Sequence, residues 1–159
     1  MFNHSFEAIV DSESSILILG SFPSLKSREN NFYYMHPQNR FWKVLSEIYQ
    51  VDFVHASKDE KIALLQKFHI ALYDVIESCD ITNSDDSTIK NVSPADINRL
   101  IQNTHINNIY LNGKKAFTYF VKYNHNFQIP YQYLPSTSAA NAAFTLSNLI
   151  EAWKIIHNH

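Results

Sequence analysis

The chain has 159 residues, 45% hydrophobic and 18% charged, with 11 Phe, 9 Tyr and 2 Trp: too apolar and aromatic for a disordered polymer, and the right size for one domain with its own core. Thirteen basic and fifteen acidic side chains give a net charge of -2, so the field of the whole molecule does not draw it to a polyanion, and any nucleic-acid contact must be a local patch. The single Cys79 excludes an internal disulfide, a four-cysteine zinc site and a cluster held by four cysteines of one chain, and a reducing, cytoplasmic setting is expected. No apolar run approaches the ~18 residues of a membrane helix, and the opening residues lack a basic end followed by a long apolar stretch, so neither spanning nor secretion is expected.

In chain order, Ser15 to Gly20 (SILILG) is a short continuous apolar run ended by glycine, which suits a strand buried on both faces. Helical patterns follow over Phe41 to Tyr49 and Lys58 to Phe68, the second preceded by Ser57 as an N-cap. Ile70 to Val75 is a second strand. Ser93 as N-cap with Pro94 at the first helical position predicts a helix over Pro94 to Gln102. Asn108 to Gly113 repeats the apolar run ended by glycine, Lys114 to Tyr123 is helical, Tyr131 to Leu134 is a fourth strand closed by Pro135, and Asn141 to His157 is a last helix. This alternation predicts an α/β/α sandwich around a central four-stranded parallel sheet with right-handed crossovers, over residues 1–159 as one domain. In such sheets ligands bind outside the carboxyl ends of the strands, so chemistry is expected just after Gly20, Asp74, Asn112 and Leu134.

With only Gly20 and Gly113, no glycine-rich phosphate cradle exists, which sets aside phosphate-loop nucleotidases and dinucleotide enzymes. After the fourth strand, Pro135-Ser136-Thr137-Ser138-Ala139-Ala140-Asn141 places three hydroxyls and backbone amides ahead of the expected helix, a ready anion site or an ordinary capped turn. The short acidic run Thr82 to Ser87 is read as a turn, since no EF-hand ligand spacing follows.

Four segments together carry a resemblance. Gly-Ser-Phe-Pro-Ser at 20–24, Tyr-Tyr-x-His-Pro-x-Asn-x-Phe-Trp at 33–42, Leu-Tyr-Asp-Val-Ile at 72–76 and Leu-Pro-Ser-Thr-Ser at 134–138 resemble the hypoxanthine-DNA (deoxyinosine) glycosylase family of the uracil-DNA glycosylase superfamily, nearly end to end. One departure is visible: the family usually has Pro after Ser-Thr-Ser, where this chain has Ala139. The resemblance implies a three-layer α/β fold and a monofunctional enzyme, without metal or cofactor, that removes a deaminated base such as hypoxanthine or uracil from DNA. Hydrolysis of the N-glycosidic bond passes through a transition state with oxocarbenium character and needs a positioned water and support for the departing base.

By this resemblance Asn39 is the catalytic residue, its amide oxygen expected to orient the water; an Asn just before Phe41-Trp42 is also placed to cap a helix. Gly20, Ser21, Phe22, Pro23, Tyr33, Tyr34, His36, Asp74 and Asn112 are the expected base pocket, where the aromatics would stack on an extruded base and the polar groups read its edge. Packed core, loop and cap positions are the bland alternatives for the same residues. Lys114 and Lys115, placed against the dipole at a helix start, join Pro135, Ser136, Thr137, Ser138, Ala139 and Asn141 as the expected DNA contact, with Lys26, Arg28 and Arg40 extending a basic rim. The partner is then DNA with a deaminated base, bound by a monomer away from membranes. The rival readings are a non-catalytic α/β module that binds nucleic acid or a nucleotide, and a hydrolase of free nucleosides.

Overall fold

The computed structural model describes residues 1–81 and 89–157, so the acidic run at Thr82 to Ser87 lies outside the described residues. Its strands are β1 (Phe2–Asn3), β2 (Ile16–Gly20), β3 (Ile70–Asp74), β4 (Ile76–Asp80), β5 (Lys90–Pro94), β6 (Asn108–Asn112) and β7 (Tyr131–Leu134). The helices are α1 (Leu25–Asn30), α2 (Phe41–Tyr49), α3 (Lys58–Lys67), α4 (Ile97–Leu100), α5 (Lys114–Tyr123) and α6 (Leu146–Trp153), the last continued by a 3-10 turn over Lys154–His157.

The central sheet is parallel, in the order β3-β2-β6-β7, with Leu17 opposite Ala71 on one side and Ile109 on the other. Side chains along β2 alternate between the two faces, as the pleat requires. Ile16 and Ile18 pack with Phe41, Leu45 and Trp153 of α2 and α6, while Leu17 and Leu19 pack with Ala116 and Phe120 of α5 and Ile97 of α4. Two cores on opposite faces make this the expected three-layer α/β arrangement. β7, expected as a fourth buried strand, lies at one edge of the sheet, and Tyr131 and Tyr133 are each 37% exposed.

Three local expectations are corrected. Pro94 ends a strand rather than opening a helix: it pairs with Ile76 at the end of edge strand β5, where a missing N–H costs no ladder bond, and the cap of α4 is Asp96, which accepts from the Arg99 amide. The last helix begins at Leu146, capped by Thr145, because residues 141–145 are held in turns by side-chain bonds described below. A second, antiparallel sheet, β1-β4-β5, went unanticipated, its strands being short, partly exposed and without a strong alternating pattern. Only Val75 separates β3 from β4, so the two sheets meet at Asp74. Ser57 does cap α3, in a reciprocal capping box with Glu60.

Candidate functional site

A cavity of about 690 Å³ opens at the carboxyl ends of β2, β3, β6 and β7, within the usual range for ligand pockets. All nine residues of the expected base pocket line it, and so do Asn39, Lys114, Lys115, Ser136, Thr137, Ser138, Ala139 and Asn141. Pro135 lies behind, its carbonyl accepting a 2.9 Å hydrogen bond from the Trp153 indole.

Asn39 stands on the approach to α2, half-buried. Its Oδ1 accepts from the Phe41 amide at 3.0 Å and from the Thr137 hydroxyl at 2.8 Å. A backbone N–H can only donate, so the first bond fixes which end of the amide is oxygen. Both acceptor positions are therefore engaged, and Nδ2, which makes no hydrogen bond among the described residues, is the polar end left for the cavity. The bond to the first amide of α2, whose N-cap is Arg40, and a place in the pocket lining thus coexist in one side chain. The amide oxygen, expected from the resemblance to orient a water, is held by its bonds to Phe41 and Thr137.

Thr137 is fully buried and joins three elements. Its amide donates to Asn112 Oδ1 at 3.0 Å, its hydroxyl accepts from Asn112 Nδ2 at 3.1 Å, and its carbonyl accepts from the Arg40 amide at 3.0 Å. Asn112 is consequently committed to the scaffold. Arg40, expected on the DNA-facing rim, turns its guanidinium onto the carbonyls of Thr137, Ser138, Asn141 and Phe144. This clamp holds the segment in which Ala139 replaces the family's proline. The amides of Thr137, Ser138, Ala140 and Asn141 are bonded within the protein, while Ser136 and Ser138 accept from amides and keep their hydroxyl protons for donation.

The remaining cations divide. Lys26 faces Glu29 at 3.5 Å, and Arg28 lies over the rings of Phe2 and Phe22, so neither extends the rim as expected. Lys114 and Lys115 open α5, whose first turn has no acidic residue, and form no ion pair among the described residues.

On the opposite wall, Tyr34 adopts a left-handed backbone (φ 55), uncommon for a bulky residue, and stacks on Phe41 with ring centroids 4.0 Å apart. Its buried hydroxyl has no hydrogen-bond partner. Burial first, then the Asp74 carboxylate, push that phenol well above its ordinary range, against the opposing pull of the Asn112 amide, which bonds Thr137. It therefore stays a neutral hydroxyl. Tyr33, raised likewise by burial and then by Asp74, bonds the Glu7 carbonyl at 2.8 Å and packs in the core. Phe22 packs with Ile76, Cys79 and Ile89. Exposed His36, at the mouth, accepts from the Gln38 amide through Nδ1. Gly20 is where the pocket has no room for a side chain: a Cβ there would lie 2.5 Å from Asp74 Oδ1 and 3.1 Å from Tyr34 Oη.

Asp74 brings in a residue that sequence reasoning missed. Its Oδ2 lies 2.7 Å from Nε2 of His4, whose side chain is fully buried. Seventy positions separate the two residues, and no local pattern connects them.

A parallel sheet with a cavity at its carboxyl ends, an asparagine on one wall and two lysines in its lining defines an α/β protein of the kind that binds its ligand outside the strand ends. Residues 7–157 match the uracil DNA glycosylase superfamily, and the chain belongs to it, as the four motifs imply. A hypoxanthine DNA glycosylase from Methanosarcina acetivorans is 29% identical over 160 residues, covering all of both chains. Another from Methanosarcina barkeri is 29% identical over 120 residues, covering 75% of this chain and 76% of that one. The solution NMR structure of a candidate uracil DNA glycosylase from Methanosarcina acetivorans superposes with a TM-score of 0.84 at 29% identity, over 97% of this chain and 95% of that one.

Proposed function

We propose that this chain is a monofunctional DNA glycosylase of base-excision repair whose substrate is hypoxanthine in DNA. The observation that carries the reading is the free amide end of Asn39 in a cavity flanked by Lys114 and Lys115, in a chain of this superfamily. Tyr34 is stacked on Phe41 and Tyr33 is anchored to Glu7, so neither fills the cavity as a non-catalytic module would have it. Two lysines at the rim favour a nucleic-acid backbone over a free nucleoside.

In this reading the lysines and the hydroxyls of Ser136 and Ser138 hold phosphates beside the lesion, and the flipped nucleotide enters between Tyr34 and Asn39. The bond between C1′ and N9 breaks with its electron pair leaving on the purine. A water oxygen adds to C1′, its proton passes to the base, and the products are free hypoxanthine and an abasic sugar. Asn39 Nδ2, a donor, supports the negative partner of that transition state: it bonds the departing base or holds the water by its oxygen. Uracil presents the same N–H beside a carbonyl and is the second base to test. The reading includes a single domain over 1–159, working as a monomer in the cytoplasm; no helix among the described residues is long and apolar enough to cross a membrane.

The test is incubation with oligonucleotides bearing one hypoxanthine, uracil or xanthine, followed by alkaline cleavage of abasic sites. Hypoxanthine-specific cleavage is the expected result; no abasic sites from any of the three would overturn the reading.

A further inference from the structure

His4 Nδ1 lies 2.8 Å from the Phe6 carbonyl and Nε2 lies 2.7 Å from Asp74 Oδ2. A carbonyl oxygen can only accept, so Nδ1 carries a proton. The bond from Nε2 to the carboxyl group then needs a proton of its own, held by one partner or the other. With that proton on Nε2 the two side chains form an imidazolium–carboxylate pair, buried on both sides. The rings of Phe6, Phe22, Tyr33 and Tyr73 enclose the imidazole, with centroids 4.7, 6.1, 6.0 and 4.5 Å away, so solvent does not compete for its two hydrogen bonds. Among the described residues His4 is Asp74's one ion-pair partner, and a buried carboxylate without a partner is costly.

The pair leaves one oxygen of Asp74 unused. Oδ1 takes no hydrogen bond among the described residues, and both it and the unpartnered Tyr34 hydroxyl crowd the space over Gly20 at the cavity wall. One is an obligate acceptor while Asp74 is ionised, the other a hydroxyl able to donate. Oδ1 matches the donor half of a lactam edge, in which a ring N–H adjoins a carbonyl, and the Tyr34 hydroxyl lies buried behind the same wall. Hypoxanthine carries that edge and adenine, from which it arises, carries the reverse, a bare ring nitrogen beside an amino group. A carboxylate facing the bare nitrogen of adenine would be repelled, and a neutral acid would blur the distinction.

We infer that His4 is a positioning residue: its imidazolium holds Asp74 ionised and turned so that Oδ1 selects bases that present a lactam edge over their amino parents. This rests on the glycosylase reading and adds to it the source of base selectivity.

Two measurements test it. In the wild-type protein at neutral pH, ¹⁵N NMR of the histidine rings should show both nitrogens of His4 protonated; one bare nitrogen would overturn the proposal. Single-turnover excision is then compared on oligonucleotides bearing hypoxanthine and unsubstituted purine, which lacks both the ring N–H and the carbonyl. His4→Phe, which keeps an aromatic ring among its neighbours but no donor, should lower the hypoxanthine-to-purine ratio at least tenfold, as should Asp74→Asn. His4→Gln, with a terminal amide that reaches Asp74, should recover part of the ratio. A folded His4→Phe protein with the wild-type ratio would refute the inference, and if that variant does not fold, the ring spectrum of the wild type decides. A wild-type protein inactive on every base would instead reject the glycosylase reading and leave the spectrum interpretable.

Discussion

Asn39 offers a separation of stability from chemistry, because its two ends do different things. Asn39→Ala removes both bonds to Oδ1, from the Phe41 amide and the Thr137 hydroxyl. At about 1 kcal/mol for each bond the loss is about 2 kcal/mol, or a fall of roughly 4–8 °C in the thermal midpoint for a chain of this length. Asn39→Asp keeps both bonds, since a carboxylate accepts from the same two donors, and adds a negative charge where a helix begins, so the midpoint should move by less than the equivalent of about 0.5 kcal/mol. What it removes is the donor facing the cavity. Single-turnover excision of hypoxanthine should then fall about 10²–10³-fold for Asn39→Ala, the cost of one well-placed donor. In Asn39→Asp the new carboxyl donates only while protonated, so its rate relative to the wild type should rise as pH falls into the carboxylate range of about 4. Rates and midpoints measured together on both variants decide the matter. Wild-type rates in both, at any midpoint, would refute the assignment and leave Asn39 a cap.

Arg40→Lys retains the charge but cannot span four carbonyls; it should cost about 2 kcal/mol in denaturant unfolding and speed proteolysis within residues 135–145. Gly20→Ala would set a methyl 2.5 Å from Asp74 Oδ1, and excision should be lost while the far-ultraviolet circular dichroism stays native. Neutralising Lys114 and Lys115 together should reduce the slope of log K against log salt by up to about 1.8, and an unchanged slope would remove them from the interface. With small Ala139 and Ala140 at the cavity rim in place of a bulky wedge, mispaired or single-stranded lesions should be excised faster than paired ones; equal rates would count against this.

The parallel sheet was legible because β2, β3 and β6 are continuous apolar runs ended by a polar or glycine residue, a pattern that only burial on both faces requires. Their carboxyl ends are where the cavity lies. Short strands β1 and β5 carry no such pattern, and their pairing with β4 depends on contacts far apart in the chain. His4 was hidden for the same reason. Arg40 was visible as a cation, yet its direction was not: four carbonyls that it serves lie about a hundred positions away, and surface charge is the commoner fate of an arginine. Pro94 shows a local signal overruled, since the fixed φ that favours a first helical turn equally suits the last residue of an edge strand.

Thr137 has every polar atom engaged, and through it the end of β6, the loop after β7 and the start of α2 share one immobile point. A mould so locked has little freedom left to surrender when a ligand arrives, which lowers the entropic cost of docking and denies the protein an adaptive fit. The deformation needed to bring a nucleotide into the cavity must then come from the nucleic acid. Discrimination begins before the base is read, in how readily the helix yields at each position, and free and bound forms of residues 135–141 should superpose closely while the DNA alone is remodelled.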